Sequence, residues 1–328
     1  MGSLIKIIMN TIFYIILFLL SCFGFYFSGE LIVKSFSKIA KFLGWKEFVV
    51  SFLLMSVVGS LPNLFVGISA ALKGVPELSF GDAIGGNVID MTIAVALAAL
   101  FAKDGIPAKS KTINTTLIFT CVAAVLPILL ASNGIISRID GIILVGFFIF
   151  YMSWLFSKKE RFTKVCEDEQ PIEKSFQRSL SGIFKVIFSL IIFAIASQFI
   201  VESSLYFADV FNIPIMLIGL FIVGLGNCAP EIFFAISTAK KGLEWMILGG
   251  LMGSIVSVST LVMGTVAMIN PIVISDFSPF LTARIFLFIA IFFFFIFIKT
   301  DHHIDKKEAA FLLFIYIFFI IAEIFFGV

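Results

Sequence analysis

Runs of about twenty apolar residues recur from one end of this chain to the other. That is the length an α-helix needs to cross the hydrocarbon of a bilayer, where each segment must satisfy its own backbone polar groups. Nothing else in the sequence restricts the fold as much. With 60% of its 328 residues hydrophobic, 13% charged and a mean hydropathy of +1.14, the chain exceeds what a water-soluble core can bury. It reads as an all-α polytopic membrane protein.

Breaking the chain at charges, prolines and glycines predicts ten transmembrane helices, at 7–28, 46–72, 78–102, 113–131, 138–157, 180–203, 213–239, 243–270, 278–298 and 309–327. The first is expected to be retained, because it is longer than a signal-peptide core and no small-residue cleavage pattern follows it. It can continue as an amphipathic helix to about Phe42. Lys6 stands where a myristoylation motif has Ser or Thr. The longest hydrophilic stretch, Ser157 to Arg178, separates five spans from five. The expected organisation is a first five-helix repeat at 1–157, a linker at 158–179 and a second at 180–328.

Charge orients these spans. Of the 23 Lys and Arg, only Lys6, Lys73, Arg138 and Arg284 fall on one side of the ten-span arrangement. Lys and Arg collect on the cytoplasmic side, so both termini are expected outside and the central loop in the cytosol, with the protein integral to the cell (inner) membrane. Trp45, Trp154 and Trp245 then lie at cytoplasmic span ends, as interfacial tryptophans do.

The two halves are related. A shift of 168 residues brings Pro62 onto Pro230, Lys73-Gly74 onto Lys241-Gly242, and Gly81, Gly85 and Thr92 onto Gly249, Gly253 and Thr260, without a gap. Repeats of an odd number of spans insert with opposite orientation. Lys34–Lys46 carries four lysines, whereas its counterpart Glu202–Pro214 has no Lys or Arg, as opposite sidedness requires. Inverted repeats with interrupted helices are an architecture of secondary transporters, whose sites lie at the midplane between the repeats.

Each repeat, about 46–102 and about 213–270, holds two polar interruptions. They are Gly59–Asn63 and Gly81–Asp90 in the first half, and Gly226–Glu231 and Gly249–Ser259 in the second. Pro62 and Pro230 each remove a backbone donor, and the carbonyls so released need protein, water or an ion. Carbonyl, hydroxyl, amide and carboxylate oxygens together suit a hard cation. Asp82, Asp90 and Glu231 are carboxylates in or at the ends of apolar spans, where acids are costly and mark function. Asp82, Gly86 and Asp90 are spaced by four and share a helix face, with room for an ion or water at Gly86. Blander roles compete: the prolines as simple kinks, Asp82 as a helix cap, and Gly85, Gly86, Gly249, Gly250 and Gly253 as helix-packing residues.

These paired motifs resemble the two alpha repeats of the cation/calcium exchanger superfamily, which includes the sodium/calcium exchangers. The resemblance covers the ten-span layout and is carried by motifs over about Ser28–Thr92 and Ala196–Thr260. It implies that acids on the second and seventh helices bind transported calcium, and that neighbouring hydroxyls, carbonyls and polar residues of the third and eighth helices bind sodium. Glu231 matches the seventh-helix acid, but Asn63 stands where the second-helix acid is expected. Ser60 matches a family hydroxyl, while Gly59 lacks the oxygen often found there. Asn227 and Cys228 replace a Thr-Ser pair. On the third helix Asn87 is retained, Asp90 matches the final Asn or Asp, Gly86 replaces a serine and Asp82 replaces an Asn. On the eighth Ser254 is kept, but Ile255 and Val258 replace polar residues, and Ser257 and Ser259 flank Val258.

The resulting expectation is a secondary active cation antiporter, exchanging calcium for sodium or protons by alternating access at a midplane acidic site. Loss of acid at Asn63 and of a polar group at Val258 keeps open an exchanger of another divalent or a monovalent cation, or a non-transporting ion sensor. The implied partners are the lipid bilayer and small inorganic cations, with Ca2+ and Na+ (or H+) as cargo and no organic cofactor. No protein partner is marked. The four cysteines, Cys22, Cys121, Cys166 and Cys228, show neither metal nor disulfide spacing. His302 and His303, the only histidines, sit in the polar loop Lys299–Glu308 and argue against an enzyme. No basic-aromatic pattern suggests nucleic acid, and the central loop holds no calcium-sensing motif.

Overall fold

The computed structural model describes residues 2–42, 54–108, 111–157, 176–242, 244–274, 277–300 and 302–326. The expected start of the second span at 46–53, Trp45 and the central loop with Cys166 lie outside the described residues. The helices are α1 (Gly2–Phe42), α2 (Ser56–Leu72), α3 (Pro76–Phe101), α4 (Lys111–Leu130), α5 (Arg138–Ser157), α6 (Phe176–Phe211), α7 (Ile215–Lys240), α8 (Met246–Ile269), α9 (Phe277–Thr300) and α10 (Lys306–Phe326). Among the described residues nine are long and apolar enough to cross a membrane, and the described part of α2 is a shorter apolar helix.

The halves are arranged as inverted repeats. α1 and α6, related by the repeat, lie against each other antiparallel. Tyr14 stacks on Tyr206 with centroids 4.2 Å apart, while Phe25 meets Phe193 farther along α1 and earlier along α6. Thr11 and Tyr206 add a hydroxyl–hydroxyl bond of 2.9 Å. Two short strand pairs show the same exchange. β1 (Ile106–Pro107) pairs with β4 (His303–Ile304), and β2 (Ile135–Ile136) pairs with β3 (Ile272–Val273), both antiparallel. The repeat shift carries Ile135 onto His303, so each pair joins a loop of one half to a loop of the other.

The centre of the bundle is α3 and α8, which are also repeat partners. Their central windows are 78% and 83% buried, against 17% for α1 and 22% for α5. Glycine makes this density possible. An added Cβ on Gly81 would strike the Met216 carbonyl oxygen, one on Gly85 that of Leu220, and one on Gly219 that of Leu78. α3 and α7 therefore meet backbone to backbone, the role that small residues serve between membrane helices. Gly249 has nothing within 4 Å of an added Cβ, so close packing does not explain that glycine.

The interruptions are π-helical turns as well as proline sites. They fall at Leu54–Val58, Asp90–Ala94, Ile218–Val223 and Ser257–Val262. The second and fourth coincide under the repeat shift. Thr92 donates to the Val88 carbonyl and Thr260 to that of Val256, the same bond in both halves. A π-turn misaligns the i→i−4 ladder and is frequent at functional sites. The prolines differ in effect. Pro62 lies in the first turn of the helical segment Leu61–Leu72, where its missing N–H costs no bond, whereas Pro230 lies inside α7.

Candidate cation site

Four interrupted helices bring a polar cluster into the middle of this apolar bundle. Asp82, Asn87 and Asp90 come from α3, Asn63 and Ser60 from α2, Asn227, Cys228 and Glu231 from α7, and Ser254, Ser257 and Ser259 from α8. All are buried; Asp82 is 1% exposed, Asp90 3% and Glu231 6%.

Three contacts pair α3 with α7 in order along both helices. Asn227 Nδ2 donates to Asp82 Oδ2 at 3.0 Å, Cys228 Sγ donates to the Gly86 carbonyl at 3.7 Å, and Asp90 interacts with Cys228 and Glu231. α2 joins through Asn63 Nδ2, which donates to the same Asp82 Oδ2 at 3.2 Å. α8 joins through Asn87 Nδ2, 2.7 Å from Ser259 Oγ, and through Ser254, which hydrogen-bonds Glu231. Ser60 donates back to the Ser56 and Val57 carbonyls, 3.0 Å each. Its proton is thereby spent on the interruption, and the lone pairs of its oxygen remain available.

The expected positions are mostly brought together, with corrections. Asp82 is not a cap: the helix begins at Pro76 after Val75, and Asp82 lies more than a turn inside it. The room expected at Gly86 is taken by Cys228, whose sulfur lies 3.2 Å from where a Cβ would stand. Asp82 and Asp90 share a face but are separated by two turns, about 12 Å of rise. They cannot hold one ion between them. Accordingly, among the described residues no three His, Cys, Asp or Glu side chains close on a single point. Gly59, in the turn before α2's helical segment, has only backbone to offer.

Several buried oxygens have no hydrogen-bond partner: Asp82 Oδ1, Asp90 Oδ1, Asn227 Oδ1, Glu231 Oε2 and Ser257 Oγ. An unpaired buried polar atom is expensive, and an unpaired buried charge far more so. A cluster of hard oxygen donors left open in this way fits a dehydrated hard cation. Sequence reasoning missed Glu323 on α10, which is 1% exposed with both carboxylate oxygens unpartnered, and Tyr316, whose buried hydroxyl is also unpartnered. A lone acid in the span 309–327 was the available signal for the first.

Oppositely oriented halves whose broken helices converge on such a cluster place the chain among the inverted-repeat cation antiporters. More narrowly, it belongs to the family described as sodium/calcium exchanger protein, whose profile matches residues 13–157 and 181–325. It is similar to the sodium/calcium exchanger MaX1 of Methanosarcina acetivorans, 26% identical over 334 residues that span 89% of this chain and 93% of that one. The inner membrane protein YrbG of Escherichia coli is 24% identical over 250 residues, 75% of this chain and 78% of its own. Among solved structures, the fold resembles the sodium-calcium exchanger NCX_Mj, with TM-score 0.66 and 21% identity over 95% of this chain and 98% of that one. It also resembles the H+/Ca2+ exchanger CAX, with TM-score 0.76 and 18% identity over 95% and 82%.

Proposed function

We propose that the protein exchanges Ca2+ for Na+ or H+ by alternating access, with Asp90 and Glu231 as the acids that neutralise the divalent ion. The observation that carries this reading is that these two buried carboxylates, one from each repeat, interact electrostatically, each with an unpartnered oxygen at a helix interruption. Ser254 on Glu231 and the open Ser257 hydroxyl supply neutral oxygens from α8. Relatives named as sodium/calcium exchangers favour Na+ as the counter-ion, and the likeness to an H+/Ca2+ exchanger keeps H+ beside it. The orientation inferred from charge, with termini outside and the central loop cytosolic, belongs to this proposal, as does the division at 158–179.

Motion follows from what is packed to what. α1 and α6 are joined along their lengths, and α7 is interlocked with α3 through glycine. Between α1 and α7 lies an apolar groove of about 800 Å³, lined by Phe18, Cys22 and Tyr26 on one side and Leu225, Gly226 and Pro230 on the other. The α1–α6 pair is the mobile unit, and this groove is where it slides past the interruption that carries Glu231.

Flux in proteoliposomes tests the reading. An imposed Na+ or H+ gradient should drive uptake of radioactive Ca2+, and Glu231→Gln should abolish it. No uptake with either gradient, together with a Glu231→Gln protein that handles every tested cation like the native one, would sink it. Asn63 supports a second reading, a different divalent or a monovalent cargo. In this chain's own repeat it is the counterpart of Glu231, so one charge is absent from that position.

A further inference from the structure

α2 and α7 carry a shared pattern that the cation site does not use. Phe65, Ser69 and Lys73 are spaced by four, and the repeat shift brings them onto Phe233, Ser237 and Lys241. At that spacing the three share one helix face. The halves are oppositely oriented, so Lys73 and Lys241 end their helices at opposite faces of the membrane.

In the first half this stripe is fastened to α6. The Phe65 ring stacks on Phe193 with centroids 5.7 Å apart. One turn on, the Ser69 and Ser197 hydroxyls are 2.8 Å apart, and Gln198 Nε2 donates to Ser69 Oγ at 3.2 Å. At the helix end, Lys73 Nζ donates to the Gln198 carbonyl at 3.3 Å and to Glu202 Oε1 at 2.9 Å. The repeat counterpart of α6 is α1, yet the matching stripe of α7 is open. Phe233 is 59% exposed, borders the groove between α1 and α7, and meets Tyr26 edge-on at 6.0 Å. Phe25, the counterpart of Phe193, packs on Phe193 itself. Gly29, the counterpart of Ser197, has nothing among the described residues within 4 Å of an added Cβ, so Ser237 does not lie against it.

Alternating access moves one bundle against the other around a fixed site. α1 and α6 are joined antiparallel, so a slide that seats α1 on α7 at one face lifts α6 from α2 at the other. We infer that Lys73 and Glu202, backed by Ser69, Ser197 and Gln198, form a latch that holds the α1–α6 unit in the state seen here, and that Phe233, Ser237 and Lys241 close on α1 as its alternative in the opposite state. The acid of the second latch is Glu30. Glu202 corresponds to Lys34, which repels Lys241, but Gln198, whose carbonyl Lys73 already reaches, corresponds to Glu30. The acid is thus kept, one turn earlier. The two latches exclude each other, and their relative strength biases how the two states are populated. This device rests on the sliding motion of the antiport reading, not on its cargo.

The test is disulfide trapping in proteoliposomes. Gly29→Cys with Ser237→Cys places thiols where the second latch closes, and each single variant controls for linkage to the native cysteines. Under diamide, mass spectrometry of linked peptides should find the 29–237 bond, which the arrangement seen here does not allow. Adding Lys73→Gln should speed its formation by about two- to fivefold, the weight of one exposed ion pair. Exchanging the charges, Lys73→Glu with Glu202→Lys, should return the rate toward that of the parent pair, and Glu30→Gln should slow it. Absence of the 29–237 bond overturns the inference, as does a rate that Lys73→Gln leaves unchanged. Cation flux without that bond defeats the latch and leaves the antiport reading standing. The bond without any cation-driven flux defeats that reading and leaves the latch.

Discussion

Gly219 of α7 rests on the Leu78 carbonyl of α3 so closely that a Cβ at Gly219 would overlap the oxygen. Gly81 and Gly85 make the reciprocal contacts from α3 to Met216 and Leu220. This seam sets the register in which Asp82 meets Asn227 and Asp90 comes within electrostatic reach of Glu231. Gly219→Ala should therefore destabilise the protein by about 1–3 kcal/mol, the usual cost of overpacking. Gly249→Ala is the matched control. Nothing lies within 4 Å of its added Cβ, and replacing a helical glycine by alanine is favourable by about 0.5–1 kcal/mol. Thermal denaturation in detergent should give a lower midpoint for the first variant and an equal or higher one for the second. A Gly219→Ala protein as stable as the native one would mean that the seam is looser than described.

The paired acids make a sharper demand on binding. Asp90 and Glu231 each have an unpartnered oxygen in an apolar bundle, so under the proposed function removing either charge would leave the divalent ion half neutralised. Breaking a buried charge pair costs about 3–5 kcal/mol, which is a hundredfold or more in affinity. Asp90→Asn and Glu231→Gln should each raise the Ca2+ midpoint by about that factor, read by calorimetry. Ser259→Ala removes only the oxygen that accepts from Asn87 and should cost about tenfold or less. Equal effects from all three would deny the acids their special role.

How much of this was legible beforehand depends on whether the signal was periodic or spatial. The spans, their inversion and the polar interruptions follow from apolar run length, lysine placement and a gapless repeat, all of which are local or additive along the chain. Pairing across helices is neither. Asp82 and Asn227 are 145 residues apart, and nothing in the spacing of either says that one amide faces the other's carboxylate. The same holds for Gly86. Its lack of a side chain suggested space, but whether that space stays open depends on Cys228 of another helix. The π-turns were hidden for a different reason, since the segments that form them, such as Leu54–Val58 and Asp90–Ala94, carry no residue that marks a π-turn. Glu323 was legible as an acid in an apolar span, and only its burial distinguishes it from an acid at a helix end.

If Cys228 reaches the bound ion, it should bias the cation preference. Its sulfur is the one soft atom in a cluster of oxygens, and it lies at the Gly86 carbonyl beside Asp90. Thiol sulfur favours soft cations, whereas hydroxyl oxygen favours hard ones. Cd2+ should compete with Ca2+ about tenfold better in the native protein than in Cys228→Ser. Competition assays on both proteins check this. Identical Cd2+ midpoints would place the sulfur outside the ion's reach, as a packing group over Gly86.

The groove between α1 and α7 offers a direct test of which helices move. A Cβ placed on Gly226 would lie 3.1 Å from the sulfur of Cys22, a separation that allows a disulfide with an S–S bond of about 2.05 Å. Gly226→Cys should therefore cross-link to Cys22 under mild oxidation and tie α1 to the segment that carries Glu231. If α1 and α6 slide past α7, oxidation should stop exchange and a reductant should restore it. The same oxidant should leave flux intact when Cys22→Ala is added to Gly226→Cys, which excludes damage at Cys121, Cys166 or Cys228 as the cause. Ca2+ binding measured in detergent should survive the cross-link, because neither cysteine faces the acids. A cross-linked protein that still exchanges at the native rate would show that α1 and α7 travel together. The moving boundary would then have to run between α7 and α3, through the seam where Gly219 rests on Leu78.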